Sequence, residues 1–225
     1  MSNVRIKKYL LGLARGTSEN ARVVKDLLDS LVKRGIDASR QRLFVIDGGK
    51  ALRLGIEEVY GEQALVQRCR IRKLRNVLDR LPDPLRIQVR SVMHAAYKLP
   101  EKDDMAKLTQ QAKWLTPAHP DAAASLLEGL QETFTVNRLR LTPALIRCLA
   151  SINIIENPNG GMRRVSGCVM RWRDPDMVLR WATAAFLEAE KGFRRIQGFR
   201  DLWVLAVALG RAPSGKPVDG NAKAA

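Results

Sequence analysis

Apolar positions recur in two rhythms along the N-terminal third of the chain. The switches between those rhythms outline alternating strands and helices. Arg5 to Leu13 reads as a strand that ends in a run of apolar residues. Thr17 or Ser18 is placed to cap a helix, with Glu19 and Asn20 in its first turn. Val23, Val24, Leu27, Leu28, Leu31 and Val32 then fall at helical spacing, and Gly35 stops the run. Leu43 to Ile46 is short and wholly apolar, the pattern of a strand covered on both faces. Lys50 to Val59 predicts a helix, Leu65 to Gln67 another strand, and a basic helix continues to about Leu81. Strands alternating with helices predict an α/β sheet.

The rhythm changes at Pro82-Asp83-Pro84. From Pro84 to Leu130 the spacing is helical throughout, broken at Leu99-Pro100 and at Thr116 to Pro120. This block reads as an all-helical insertion over 83–133, between core segments at 1–82 and 134–210. Phe134 to Thr142 reads as a linker. Thr142-Pro143 opens a helix that runs through Ile155 and carries Glu156 near its end. Asn157 to Gly161 is rich in turn residues. Asp174 opens an amphipathic helix with Leu179, Ala182, Phe186 and Ala189 on one face, and Leu202 to Leu209 predicts a last packing helix. The composition of 211–225 predicts a disordered tail. The chain is helix-rich overall and shows no internal repeat.

Charge narrows the partner. The 225 residues hold 39 Lys plus Arg against 23 Asp plus Glu, a net charge of +16 with a pI near 10.4. That excess favours a polyanion, nucleic acid before an anionic membrane surface. No uncharged apolar stretch approaches the roughly 18 residues of a membrane span. Cys69, Cys148 and Cys168 are odd in number and widely spaced, which fits reduced thiols in a cytoplasm better than a disulfide framework. His94 and His119 lack metal-ligand spacing to any Cys, so a zinc site is not expected. No phosphate-cradling glycine loop and no Gly-x-Ser-x-Gly element is present.

The candidate chemistry is acidic and basic. Asp47 closes an apolar strand, where α/β proteins present ligand-binding groups, but an Asp there also serves as a helix cap. Glu156 follows an apolar run and alone reads as its first solvent-facing residue. Together the two carboxylates suit divalent-metal chemistry on phosphodiesters. Arg68, Arg70, Arg72, Lys73, Arg75 and Arg80 crowd the basic stretch, and on a helix Arg68, Arg72 and Arg75 share one face. Such a run is either a solvated surface or a phosphate-binding one, and Asp79 is its only acid. Arg163, Arg164, Arg171 and Arg173 add cations beyond Glu156. Trp172 and Trp181 are able to stack on bases, with core packing preferred for Trp181. Cys69 reads as a small buried residue.

Several words, taken in order, resemble the Mutator-type insertion-sequence transposases. They are Leu11 to Asn20, Asp47-Gly48, Gln67-Arg-Cys69 with Arg75-Asn76, and Asn153-Ile-Ile-Glu156-Asn157 with Arg163-Arg164. The resemblance covers about Tyr9 to Leu209. It implies a ribonuclease-H-like mixed sheet with a helical insertion, here a partial one. It also implies Asp47 and Glu156 as catalytic ligands of Mg²⁺ or Mn²⁺, and Arg68, Arg72, Lys73, Arg75, Arg163 and Arg164 as nucleic-acid contacts. The family cuts element ends and joins them to target DNA, which implies DNA partners on the nucleoid, compatibility with a homo-oligomer, and no membrane. Two departures stand out. Arg72 occupies the place of the family's His, and the family's first aspartate belongs to a strand upstream of Tyr9. The chain is therefore expected to be an N-terminally truncated form, inactive alone. The alternatives are a non-catalytic DNA-binding remnant and a basic RNA-binding protein.

Overall fold

The computed structural model describes residues 8–16, 20–99, 101–167 and 174–211. The chain is helix-rich around a small parallel sheet. Helix α1 (Ala21–Lys33) is capped by Asn20, whose side chain accepts from the Arg22 amide. The cap therefore lies after the predicted Thr17 or Ser18, which fall outside the described residues. Gly35 ends the helix at a φ of +104°, as its position predicts. Strand β1 (Arg42–Ile46), helix α2 (Lys50–Tyr60), a 3₁₀ turn at Gly61–Gln63 and strand β2 (Ala64–Arg68) complete a β–α–β unit. The strands pair in parallel, from Arg42 opposite Ala64 to Ile46 opposite Arg68.

Among the described residues these are the only two strands. The expected mixed sheet is thus reduced to a parallel pair, and no strand forms over residues 8–13. That segment is held to α1 instead, with the Arg34 guanidinium donating to the Leu11 carbonyl at 2.5 Å. A two-stranded sheet is too narrow to bury a strand completely, so only Ile46 of β1 is fully buried. Phe44 meets the ring of Tyr60 at 4.9 Å, while Leu43 packs on the C-terminal helices.

Helix α3 (Arg70–Leu78) leads into α4 (Asp83–Ala96), α5 (Glu101–Leu115) and α6 (Pro120–Leu127), broken where the prolines require it. Val77, Leu78, Val89, Met93, Leu108, Leu115, Leu126 and Phe134 form one core through this block. The stretch expected to be a linker begins as helix and is buried there, although Arg138 and Arg140 are exposed. It holds α8 (Thr135–Arg138), directly after α7 (Leu130–Thr133), with Phe134 and Val136 at 0% exposure. These short helices cover the outer edge of β2: Thr135 Oγ1 donates to the Val66 carbonyl at 2.6 Å, and the Val136 amide donates to Gln67 Oε1 at 2.9 Å.

Helix α9 (Pro143–Leu149) starts at Thr142-Pro143 as predicted but stops before Ile155. Helix α10 (Asn153–Ser166) begins after a short break and runs through the predicted turn at 157–161. Local turn propensity loses there to packing against α11 (Pro175–Lys191). Gly161 lies so close that a Cβ on it would stand 3.2 Å from Ala189 Cβ. Asp174 caps α11, accepting from the Met177 amide at 2.7 Å. The last helix, α12 (Leu202–Ala208), joins Leu43, Val136, Leu145 and Leu149 in a second core. The predicted tail, beyond Arg211, lies outside the described residues.

Candidate active site and cationic face

The parallel strands stop at one edge, and the candidate site grows from it. The Cys69 amide, one residue past β2, donates to the carbonyl of Ile46, the last residue of β1, at 2.7 Å. Asp47 follows immediately. Its Oδ1 accepts from the Gly49 amide at 3.0 Å, and Gly48 turns the chain at a φ of +100°. Gly49, not Asp47, is the N-cap of α2. Asp47 therefore braces a tight turn ahead of the helix and remains half-buried.

Glu156 reaches the same end of the molecule by another route. The Arg70 amide, opening α3, donates to the Ala150 carbonyl at 2.9 Å. This seats the junction between α9 and α10 beside the sheet edge. Glu156 sits in the first turn of α10 rather than near the end of a helix, and there the macrodipole favours a carboxylate. Its Oε1 lies 3.5 Å from Arg72 Nη2, with both side chains a little under half exposed. Among the described residues no three His, Cys, Asp or Glu side chains gather into a metal-binding group.

The basic stretch divides into two populations. Arg68 is the last residue of β2, so it does not share a helix face with Arg72 and Arg75. It is 6% exposed and paired with Glu128 at 3.1 Å. Lys73 is 1% exposed, and its ammonium donates to the carbonyls of Ser125 and Glu128. Burial, with the Arg68 charge second, lowers its pKa to about 8. These two cations were expected to contact DNA, but their charge is engaged inside the protein. Arg72 faces Glu156, while Arg75 on α3 and Arg163 and Arg164 near the end of α10 are exposed.

Arg70 is the buried cation that sequence reasoning treated as one more surface charge. Its guanidinium lies over Tyr97 and Phe134, 4.8 and 5.3 Å from the ring centres. It donates to the Thr133 carbonyl at 3.1 Å and to Asn137 Oδ1 at 2.5 Å. The signal was present in the pattern. Val77 and Leu78 mark the buried face of α3, and stepping back by helical turns from Val77 lands on Lys73 and Arg70. Trp181 corrects the expectation in the other direction: it is 41% exposed, and the buried residues of α11 are Ala185 and Phe186. Trp172, Arg171, Arg173 and Cys168 lie outside the described residues. Cys69 is fully buried, as its composition suggests.

No helix among the described residues is long and apolar enough to cross a membrane. Comparison with curated proteins returns no match. A family model described as "Transposase, Mutator family" matches residues 5–195, most of the chain and all of the elements that build the sheet edge. The chain belongs to the Mutator family of transposases.

Proposed function

We propose that this chain carries the acidic and DNA-facing parts of a transposase that cuts and joins DNA strands on the nucleoid. In this reading the β–α–β unit is a fragment of a ribonuclease-H-like core, and Asp47 and Glu156 are two of its catalytic carboxylates. One observation supports it: the Asp47 turn and the start of the basic helix α3 follow the paired ends of the two strands, and Arg72 in that first part of α3 faces Glu156.

The donor set fits Mg²⁺ or Mn²⁺. Both candidates are hard carboxylate oxygens, the type such ions prefer. Glu156 is exposed, and among the described residues a long ion pair to Arg72 is its one tie, so it is free to exchange partners. Asp47 and Glu156 would hold the ion, which when bound stabilises the negative charge that develops as a phosphodiester is attacked. The protein's own groups do the rest. The Gly49 amide fixes Asp47 Oδ1. Arg72 steers the Glu156 carboxylate and, once released from it, offers a cation to the neighbouring phosphate. Arg75, Arg163 and Arg164 bind the flanking backbone without reading sequence.

Binding of Mn²⁺ to the chain, followed by electron paramagnetic resonance, tests the assignment. Asp47→Asn and Glu156→Gln are each expected to weaken binding by about 100-fold, at or beyond the upper end of what losing a supporting group costs. DNA retention at fixed salt is expected to stay unchanged. Undiminished Mn²⁺ affinity in both variants would remove these carboxylates from the site.

A further inference from the structure

Arg68 occupies an unusual position for a cation beside a DNA-directed site. It is buried, and both ends of its guanidinium are held by one residue of the helical block. Nη2 pairs with the Glu128 carboxylate at 3.1 Å, and Nη1 donates to the Glu128 carbonyl at 3.0 Å. Nε is buried without a hydrogen-bond partner among the described residues. Two glycines in the left-handed region close around the group: Gly48 at a φ of +100° and Gly129 at +61°. A Cβ on Gly48 would collide with Nε, and one on Gly129 would collide with Nη1. The guanidinium is thus wedged between the turn that follows β1 and the start of α7, segments far apart in the chain.

We propose that Arg68 is a positioning residue for Asp47: anchored on Glu128, it backs the Gly48 turn and fixes the direction of the neighbouring carboxylate. The inference rests on Asp47 being a metal-binding carboxylate. Gly48 has no room to move toward the guanidinium, and the guanidinium has no room to recoil, because Glu128 holds both of its terminal nitrogens. Glu128 follows α6, so the same contact ties the seating of the helical block to the Asp47 turn. Groups that support a metal ligand in this way commonly account for 10–100-fold in metal affinity.

The test measures Mn²⁺ affinity and amide hydrogen exchange at Gly49 on the full chain, for Arg68→Lys, Glu128→Gln and Asp47→Asn. Lysine keeps the charge but lacks the two-pronged grip on Glu128. Arg68→Lys and Glu128→Gln are each expected to weaken Mn²⁺ binding about tenfold and to speed Gly49 exchange, with the helical circular dichroism retained. If Arg68→Lys does not fold, Glu128→Gln decides, since Glu128 is half exposed and its loss leaves the core intact. Unchanged affinity and unchanged exchange in folded Glu128→Gln overturn the brace. Asp47→Asn separates the two ideas. If it leaves Mn²⁺ binding intact, the metal assignment fails, while Gly49 exchange in Glu128→Gln still decides whether Arg68 braces the turn.

Discussion

Lys73 enters the interior ammonium first, and the fold meets it with the carbonyls of Ser125 and Glu128. Its pKa, near 8, lies below the ordinary 10.5, because burial and then the neighbouring Arg68 penalise its charged form. The sign follows directly. Between about pH 8 and 10.5 the unfolded chain holds a proton that the folded chain has released, so stability rises as pH climbs through that window. The melting midpoint of the natural chain is expected to gain on the order of 10 °C over Lys73→Met across this range, at about 1.4 kcal/mol per pKa unit and about 2–4 °C per kcal/mol at this size. The falling net charge affects both proteins alike and cancels in the comparison. A constant difference between the two would show that Lys73 titrates normally.

At the scale of elements, helix α10 shows what a sequence hides. Asn157 to Gly161 carries the composition of a turn, yet it lies inside a helix because α11 packs across it. The two adjacent glycines then have opposite roles. Gly160 has open space around it, so Gly160→Ala is expected to stabilise by about 0.5–1 kcal/mol through helix propensity. Gly161 faces Ala189, and Gly161→Leu is expected to cost about 1–3 kcal/mol by overpacking. Chemical denaturation reads both, and equal effects would contradict the helix. The β–α–β unit, the proline breaks of the helical block and the caps at Thr142-Pro143 and Asp174 were legible, because each is written in local pattern. Asn20 as the first cap, the inward turn of Arg68, Arg70 and Lys73, and the covering of β2 by α7 and α8 were not. Partners distant in the chain decide most of those. For Arg70 and Lys73, the spacing to Val77 carried the information, but their charge outweighed it. Of the candidate site, the two carboxylates were visible as words, whereas Glu156 at a helix start beside Arg72 required the fold.

Across the whole molecule, the net charge of +16 overstates what is available to a polyanion, since Arg68, Arg70 and Lys73 are spent inside. Arg163 and Arg164 on α10 are exposed and are the cations proposed above to meet it. Arg163→Ala with Arg164→Ala is expected to lower the slope of log affinity for DNA against log salt by about 2, one for each lost phosphate contact. Lys73→Met is expected to leave that slope unchanged. Fluorescence anisotropy over a salt series measures both, and an unchanged slope in the double variant would place the contact surface elsewhere.

The tie between β2 and the segment that covers it also sets a clock. Gln67 donates to the Thr133 carbonyl and accepts from the Val136 amide, partners 66 and 69 residues later in the chain. A ribosome adding about 5–20 residues per second delivers them roughly 3–14 s after Gln67. Throughout that interval the outer side of the strand lacks both of these distant partners. The helical block has time to collapse on itself first and then dock as a finished piece. A nascent chain arrested before Thr133 holds a strand with one sealed side and one open side, the form that quality-control proteases and chaperones recognise.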